Sequence, residues 1–366
     1  MSNKKPTFID LFAGAGGLSI GIEQAGFQPL AATDWDHWSC ETLRANHKNM
    51  VVHEGDITSV DLDEFSKQIG AKTVDLIVGG PPCQGFSQLG KQKKDDPRNQ
   101  MWREYMRFVA FFKPKMFLME NVPQLLTSDE FPSIKKMAQG LGYEVREKVL
   151  HAVEYGVPQK RKRVIILGSK IGIPKHPEPT HTNPDDFNLL NGHLKSWATV
   201  KDAIGDLPLD PTGKDWHIGR NPTPTSLKRY KSIPPGGNRF DLPLALTPDC
   251  WKRKKTGSTD VFGRLKWDAP SLTIRTEFFK PEKGCYLHPQ AHRPITIREA
   301  ARLQTFPDKY VFIGSNVQVA KQIGNAVPCR LAYAVGKELF QLLSPSAYRV
   351  QNETVDGLAS LQRQLA

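Results

Sequence analysis

The sequence predicts an α/β chain built on a doubly wound, mostly parallel sheet, with a smaller loop-rich domain attached. Three observations predict it. Short apolar runs alternate with helical patterns over residues 7–168, the rhythm of strand–helix–strand units. Several of those runs end in glycines, acids or a cysteine, as expected where an open α/β sheet presents its binding rim. From about 174 to 293 the pattern turns irregular and rich in Pro and Gly.

Residues 7–12 (Thr-Phe-Ile-Asp-Leu-Phe) make a first strand that runs into Ala13-Gly14-Ala15-Gly16-Gly17. A helix follows over 18–25, with Gly26 placed to end it. Residues 30–33 form a second strand ending at Asp34-Trp35, and 40–46 read as helix. A third strand, 51–53, ends at Gly55-Asp56-Ile57, and a fourth, 74–78, at Gly79-Gly80. Residues 101–112 are helical in pattern, and 116–119 form a fifth strand ending at Glu120-Asn121-Val122. Two further strands, 143–152 and 164–167, flank Gln159-Lys160-Arg161-Lys162-Arg163. Pro174, Pro177, Pro179 and Pro184 make 174–184 an extended linker. Helix returns over 296–306, 322–328 reads as a loop, and 331–343 as an amphipathic helix. The tail from 344 is weakly patterned.

A chain of 366 residues, 39% hydrophobic, suits one large or two modest domains with a real core. The five cysteines are scattered, with no C-x-x-C pair, so neither a zinc site nor a disulfide framework is expected. That fits a reducing compartment. No signal-peptide apolar region and no bilayer-length run is present, so a cytoplasmic protein without membrane contact is expected. The net charge of +12 points to a polyanion, nucleic acid above all; plain solubility is the bland alternative.

A strand, a glycine turn and a helix let a ligand approach bare backbone. A dinucleotide fingerprint would place glycine at 19, where Ser19 stands, so a pyrophosphate is disfavoured. Asp34 lies twenty residues past Gly14, where a carboxylate takes ribose hydroxyls. Trp35 is placed to contact a purine ring, and Asp56 to accept from an adenine amino group. Either acid alone reads equally as a helix cap or a solvated charge. Together the three strand ends suit an adenosine ligand without a diphosphate.

The strand at 74–78 leads into Gly79-Gly80-Pro81-Pro82-Cys83-Gln84-Gly85-Phe86-Ser87. Two glycines turn the backbone and two prolines stiffen its exit. The first side chain beyond is the Cys83 thiol, which reads as a nucleophile or as a buried structural cysteine. Neighbouring parallel strands would put Cys83 and Glu120 on one rim. Arg161 and Arg163 would raise the thiolate fraction, and burial of Glu120 would suit it to donate a proton.

Taken in order, Asp10-Leu11-Phe12-Ala13-Gly14-x-Gly16-Gly17, Asp34-Trp35, Gly55-Asp56-Ile57, Pro81-Pro82-Cys83-Gln84-Gly85-Phe86-Ser87, Glu120-Asn121-Val122 and Gln159-x-Arg161-x-Arg163 resemble the bacterial DNA (cytosine-5)-methyltransferases. So do Arg298-Glu299-Ala300-Ala301-Arg302-Leu303-Gln304-x-Phe306-Pro307 and Gly324-Asn325-Ala326-Val327-Pro328. The resemblance covers residues 7–168 and about 264–330; its one small variation is Asp34, where Glu is commoner.

The resemblance implies a Rossmann-like S-adenosylmethionine-dependent methyltransferase fold and a metal-free reaction that yields S-adenosylhomocysteine. Cys83 would add to C6 of a cytosine, Glu120 would engage N3 and the exocyclic amine, and C5 would take the methyl group. Arg163 would steady the ring and Glu120, with Arg161 nearer a phosphate. Phe12, Ala13, Gly14, Gly16 and Gly17 would line the cofactor pocket. Asp34, Trp35, Asp56, Ile57 and Pro82 would join them, with Met101 and Asn325 helping to close it.

A cytosine inside duplex DNA must be flipped out to meet a thiol. Residues 84–98, with Gln84, Ser87, Lys91, Lys93, Lys94 and Arg98, form a candidate loop that closes on phosphates; a solvated charged loop is the bland alternative. The resemblance implies a catalytic domain of 1–185 plus 312–366 and a target-recognition domain of 186–311. In the latter, Arg229 and Arg253 lie in stretches that mix cations with aromatics. An RNA-modifying relative would carry Cys-Phe-Thr in this region, and none is present. A binding-only module is disfavoured by the intact Cys83 and Glu120, and a nicotinamide oxidoreductase by Ser19. A monomer that shares its DNA sequence with a restriction endonuclease is expected from the chain's length.

Overall fold

The structure is a computed structural model that describes residues 5–82, 100–187, 192–253 and 259–343. Its centre is a seven-stranded sheet of order β3-β2-β1-β4-β5-β8-β6. The strands are β1 (Thr7–Leu11), β2 (Gln28–Asp34), β3 (Val51–Glu54), β4 (Leu76–Gly79), β5 (Met116–Asn121), β6 (Glu144–His151) and β8 (Lys162–Ser169), with the two-residue β7 (Gln159–Lys160) outside it. The pairings from β3 through β5 are parallel, and β8 runs antiparallel to both β5 and β6. The expected doubly wound, mostly parallel sheet is therefore present.

Alternation of side chains along each strand explains why its apolar runs are nearly continuous. Ile9, Leu11, Ile77, Phe117 and Met119 enter one layer. There they meet α3 (Leu62–Gln68), α4 (Met101–Phe112) and α5 (Glu130–Gly140). Phe8, Leu76, Val78, Met116 and Leu118 point the other way, against α1 (Gly17–Gln24) and α11 (Cys329–Leu343). Helices α3 and α5 are additional to the elements the sequence singles out. Helix α2 (His37–Asn46) starts at Asp36, whose carboxylate accepts from the Ser39 amide.

The remainder is made of short pieces. They are β9 (His181–Thr182), β10 (Lys195–Ser196), α6 (Val200–Ile204), α7 (Pro224–Ser232), α8 (Asp249–Lys252), β11 (Gly263–Arg264), β12 (Ser271–Leu272), β13 (Cys285–Leu287), α9 (Ile297–Leu303) and α10 (Asn316–Asn325). Side chains substitute for regular ladders here. The buried Arg264 guanidinium donates to the carbonyls of Tyr230, Ile233, His288 and Ala291, and the buried Arg293 forms two bonds to Glu299. An apolar cluster joins Val200, Ile204, Ile274 and Phe278 to Ala15 and Ile20 beside the glycine turn and to Ile323 of α10. Strand β12 pairs with β7.

One expectation is corrected. Residues 322–325 are the last turn of α10 and not loop. Gly324 and Asn325 are weak helix formers, but packing overrides propensity: a Cβ on Gly324 would lie 2.4 Å from the Thr276 nitrogen. Among the described residues no helix is long and apolar enough to cross a membrane.

Candidate active site

The chain turns to opposite sides of the sheet after β1, through β2 and β3 one way and β4 and β5 the other. A cleft of about 340 Å³ opens at the carboxyl ends of these strands, where a doubly wound sheet places ligands. It brings together Phe12, Ala13, Gly14, Asp34, Trp35, Pro82, Glu120, Arg163 and Asn325 of the residues expected from sequence.

The glycine turn has two different uses for its glycines. Phe12, Gly14 and Gly16 have positive φ. The Gly14 amide donates to Asp34 Oδ2 at 2.7 Å, and a Cβ on Gly14 would meet nothing within 4 Å. Gly16 and Gly17 instead admit protein: a Cβ would lie 2.8 Å from the Tyr310 hydroxyl and 2.4 Å from the Val327 carbonyl oxygen, respectively. They shape the turn from behind and do not line the cleft.

Asp34 Oδ1 also accepts from the Asp36 amide at 2.9 Å, so its carboxylate ties the turn to the end of β2. Burial pushes its pKa up, against the pull of these amides. Trp35 is 78% exposed at the mouth. The Lys321 ammonium lies 5.8 Å from its ring centre and 3.3 Å from Asp36 Oδ2.

Asp10 is a floor residue that the motif contains but the sequence reading assigned no role. It is fully buried and lines the cleft. Ser19 Oγ donates to its Oδ2 at 2.6 Å, while Oδ1 has no hydrogen-bond partner. Burial raises its pKa to about 7, and the Ser19 bond opposes that rise. The usable signal was Ser19: the residue that spoils a dinucleotide fingerprint is the partner of this acid.

Asp56, Ile57 and Met101 are not part of the lining that the described residues give the cleft. Asp56 is exposed and its carboxylate accepts from the Thr58 amide at 2.9 Å, the helix-cap alternative; that bond lowers its pKa. Ile57 is buried in the layer beneath the sheet, and half-buried Met101 packs against the same layer at the start of α4.

On the other side of the cleft, β4 and β5 are adjacent and in register, with Gly79 opposite Met119. Arg163 Nε lies 2.7 Å from Glu120 Oε1. Gly80 makes room for the carboxylate: a Cβ there would lie 2.9 Å from Glu120 Oε2. Asn121 Nδ2 donates to the Pro81 carbonyl at 3.0 Å and pins the proline turn to β5. Cys83 and the candidate loop residues Gln84, Ser87, Lys91, Lys93 and Arg98 lie outside the described residues.

Arg161 lies deeper than its neighbour Arg163. It is 2% exposed, and its guanidinium donates to the carbonyls of Ile274 and Gly324. Burial, with Arg163 nearby, presses its pKa well down. Arg229 is half-buried and donates to the Leu246 carbonyl, while Arg253 is exposed at the end of α8. His37, Glu41 and Glu54 are the one group of metal-ligating side chains found together among the described residues. Arg44 already spans both carboxylates.

Residues 6–341 match the family model of the C-5 cytosine-specific DNA methylases. The type II methyltransferase M1.HphI of Haemophilus parahaemolyticus is 36% identical over 92% of this chain and 87% of its own. M.PspPI of a Psychrobacter strain is 38% identical over 92% and 80%. Among solved structures, a protein encoded within an E. coli prophage aligns with a TM-score of 0.70, at 26% identity, over 92% of this chain and 99% of that one. The chain belongs to the bacterial type II DNA (cytosine-5)-methyltransferases, which are S-adenosylmethionine-dependent enzymes.

Proposed function

We propose that the chain methylates C5 of a cytosine flipped out of duplex DNA at one short sequence, through a covalent bond between Cys83 and C6. The observation that carries this reading is the Glu120–Arg163 pair, which faces the same cleft as the glycine turn and borders the proline turn leading into Cys83.

The cleft suits S-adenosylmethionine on its own terms. It offers an unpartnered buried carboxylate oxygen on Asp10 for an ammonium group. Asp34 lies at the end of β2 for ribose hydroxyls, and the exposed Trp35 ring for adenine. Asn325 forms part of the opposite wall. S-adenosylmethionine supplies an electrophilic methyl group.

The protein residues supply the remaining chemistry. The Cys83 thiolate forms a bond to C6 while N3 takes a proton, relayed from solvent through the Glu120 carboxylate, as electron density moves into the ring. This makes C5 nucleophilic; such acid assistance is typically worth ~10²–10⁴ in rate. Arg163 holds the Glu120 carboxyl in place. Once C5 carries the methyl group, loss of the C5 proton to water expels Cys83, N3 returns its proton to Glu120, and the aromatic ring is restored. A thiol suits both addition and expulsion, and no step needs a metal. S-adenosylhomocysteine is the second product.

Residues 186–311 would read the target, with Arg229, Arg253 and the 84–98 loop at the DNA. A role beside a restriction endonuclease that acts on the same sequence is in keeping with the type II relatives; a monomer working in the bacterial cytoplasm completes the proposal. Base-resolution methylation sequencing tests the reading, using plasmid from a host without cytosine methylation that expresses wild type or Cys83→Ser. 5-Methylcytosine in one short context, dependent on Cys83, is expected. Its absence with wild type folded would refute the reading.

A further inference from the structure

Three side chains buried between the 271–276 segment and the cleft form a polar clamp. Gln159 Oε1 accepts from the Ile274 amide at 2.9 Å, and its Nε2 donates to Gln304 Oε1 at 3.0 Å. Arg161 Nη1 donates to the Ile274 carbonyl at 3.1 Å and to the Gly324 carbonyl at 3.2 Å. Gln304 Nε2 donates to the Ile323 carbonyl at 2.7 Å. Both main-chain groups of Ile274 are thus held. Two of the last carbonyls of α10, which a helix leaves without partners of its own, are capped by side chains from elsewhere.

The consequence lies one residue further on. The end of α10 delivers Asn325, Ala326 and Val327 to the cleft wall. The backbone of Gly324 is packed so closely on Thr276 that no Cβ fits between them. Arg161 itself lies two residues before Arg163, which holds Glu120. A single buried network therefore touches the segment paired with β7, the wall of the cofactor cleft and the strand that carries the catalytic ion pair.

We propose that Arg161, with Gln159 and Gln304, is a positioning group that sets the Asn325–Val327 wall and the Arg163–Glu120 pair against the 271–276 segment, and so tunes cofactor affinity and turnover together. This rests on the methyltransferase reading above. A merely structural arginine offers the contrast: Arg264 is equally buried and donates only to carbonyls, but all of them lie in 230–291, away from the cleft wall.

The test uses the full chain. S-adenosylhomocysteine is titrated calorimetrically, thermal melting is recorded, and methyl transfer to unmethylated plasmid DNA is timed. Arg161→Met is expected to raise the Kd for S-adenosylhomocysteine at least tenfold and lower kcat at least tenfold. Arg161→Lys should recover a Kd within about threefold of wild type. Arg264→Met should lower the melting temperature but leave Kd within twofold. Wild-type affinity in folded Arg161→Met overturns the proposal, as does an equal loss in Arg264→Met. If Arg161→Met does not fold, Gln304→Met carries the test, with a Kd raised at least fivefold expected and wild-type affinity overturning it. Failure of the wild type itself to bind S-adenosylhomocysteine sinks the methyltransferase reading instead.

Discussion

Arg163 Nε and Glu120 Oε1 are 2.7 Å apart, with the two side chains only 16% and 12% exposed. The pair is reached across an antiparallel edge, because β8 runs back along β5. An ion pair so enclosed is costly to break by halves, since the survivor keeps its charge without a partner.

Glu120→Gln keeps the shape of the side chain and removes its acid. Turnover should fall by ~10²–10⁴, the usual worth of general acid assistance, with S-adenosylhomocysteine affinity retained. Tritium transfer to plasmid DNA, timed at saturating cofactor, checks this. A variant with more than a tenth of wild-type kcat would remove Glu120 from the chemistry.

Gly80→Ala probes the same carboxylate from beneath. The new Cβ would lie 2.9 Å from Glu120 Oε2, the movable end of a side chain. The expected result is a displaced carboxylate, with kcat falling by up to ~10²-fold as for a 1 Å misplacement. The melting temperature should stay near wild type. A large fall in melting temperature with normal kcat in the folded fraction would contradict it.

The sheet was legible because both its faces are covered, which made strands such as 74–78 and 116–119 stand out as apolar runs. The rim was legible because the strand ends that carry Gly14, Asp34 and Glu120 meet at one cleft. Less could be read where one residue type serves two ends. Asp34 and Asp56 both follow strands, yet Asp34 ties the glycine turn and Asp56 caps a 3-10 turn. Arg161 and Arg163 differ by two positions, but the break between β7 and β8 turns one guanidinium into the core and leaves the other at the cleft. Long-range packing decides such cases, and local sequence does not encode it. Cys83, whose role rests on sequence, lies outside the described residues.

Asp10 should give the protein a pH signature. Burial raises its folded-state pKa from 3.8 to about 7. The folded chain therefore holds a proton that the unfolded chain releases nearer pH 4. The stability tied to this carboxyl is fully present below the unfolded value and is lost as pH rises through 7. Melting of wild type against Asp10→Asn between pH 5 and 8 should show wild type losing ground as pH rises. Cofactor affinity should run the other way, because an ammonium needs the ionised carboxylate. The Kd for S-adenosylhomocysteine should tighten by up to tenfold per unit as pH climbs towards 7, and Asp10→Asn should flatten that slope. Parallel slopes in both proteins would rule Asp10 out as the titrating group.

Trp35 makes the simplest prediction about the mouth of the cleft. A tryptophan 78% exposed gains little for folding, so its removal should leave the melting temperature within about 2 °C of wild type, as surface changes usually do. Stacking of a base on an aromatic ring is worth ~1–3 kcal/mol by alanine substitution. Trp35→Ala should therefore weaken S-adenosylhomocysteine binding by roughly 5- to 150-fold. Trp35→Phe, which keeps an aromatic face, should recover most of that loss. Lys321 stands 5.8 Å from the ring and bonds Asp36, so Lys321→Met should have a smaller effect, in keeping with the ~0.5–1 kcal/mol of an exposed cation–π contact. Calorimetry on the four proteins decides the matter. Equal affinity in wild type and Trp35→Ala would place the adenine elsewhere in the cleft and leave Trp35 free for another partner.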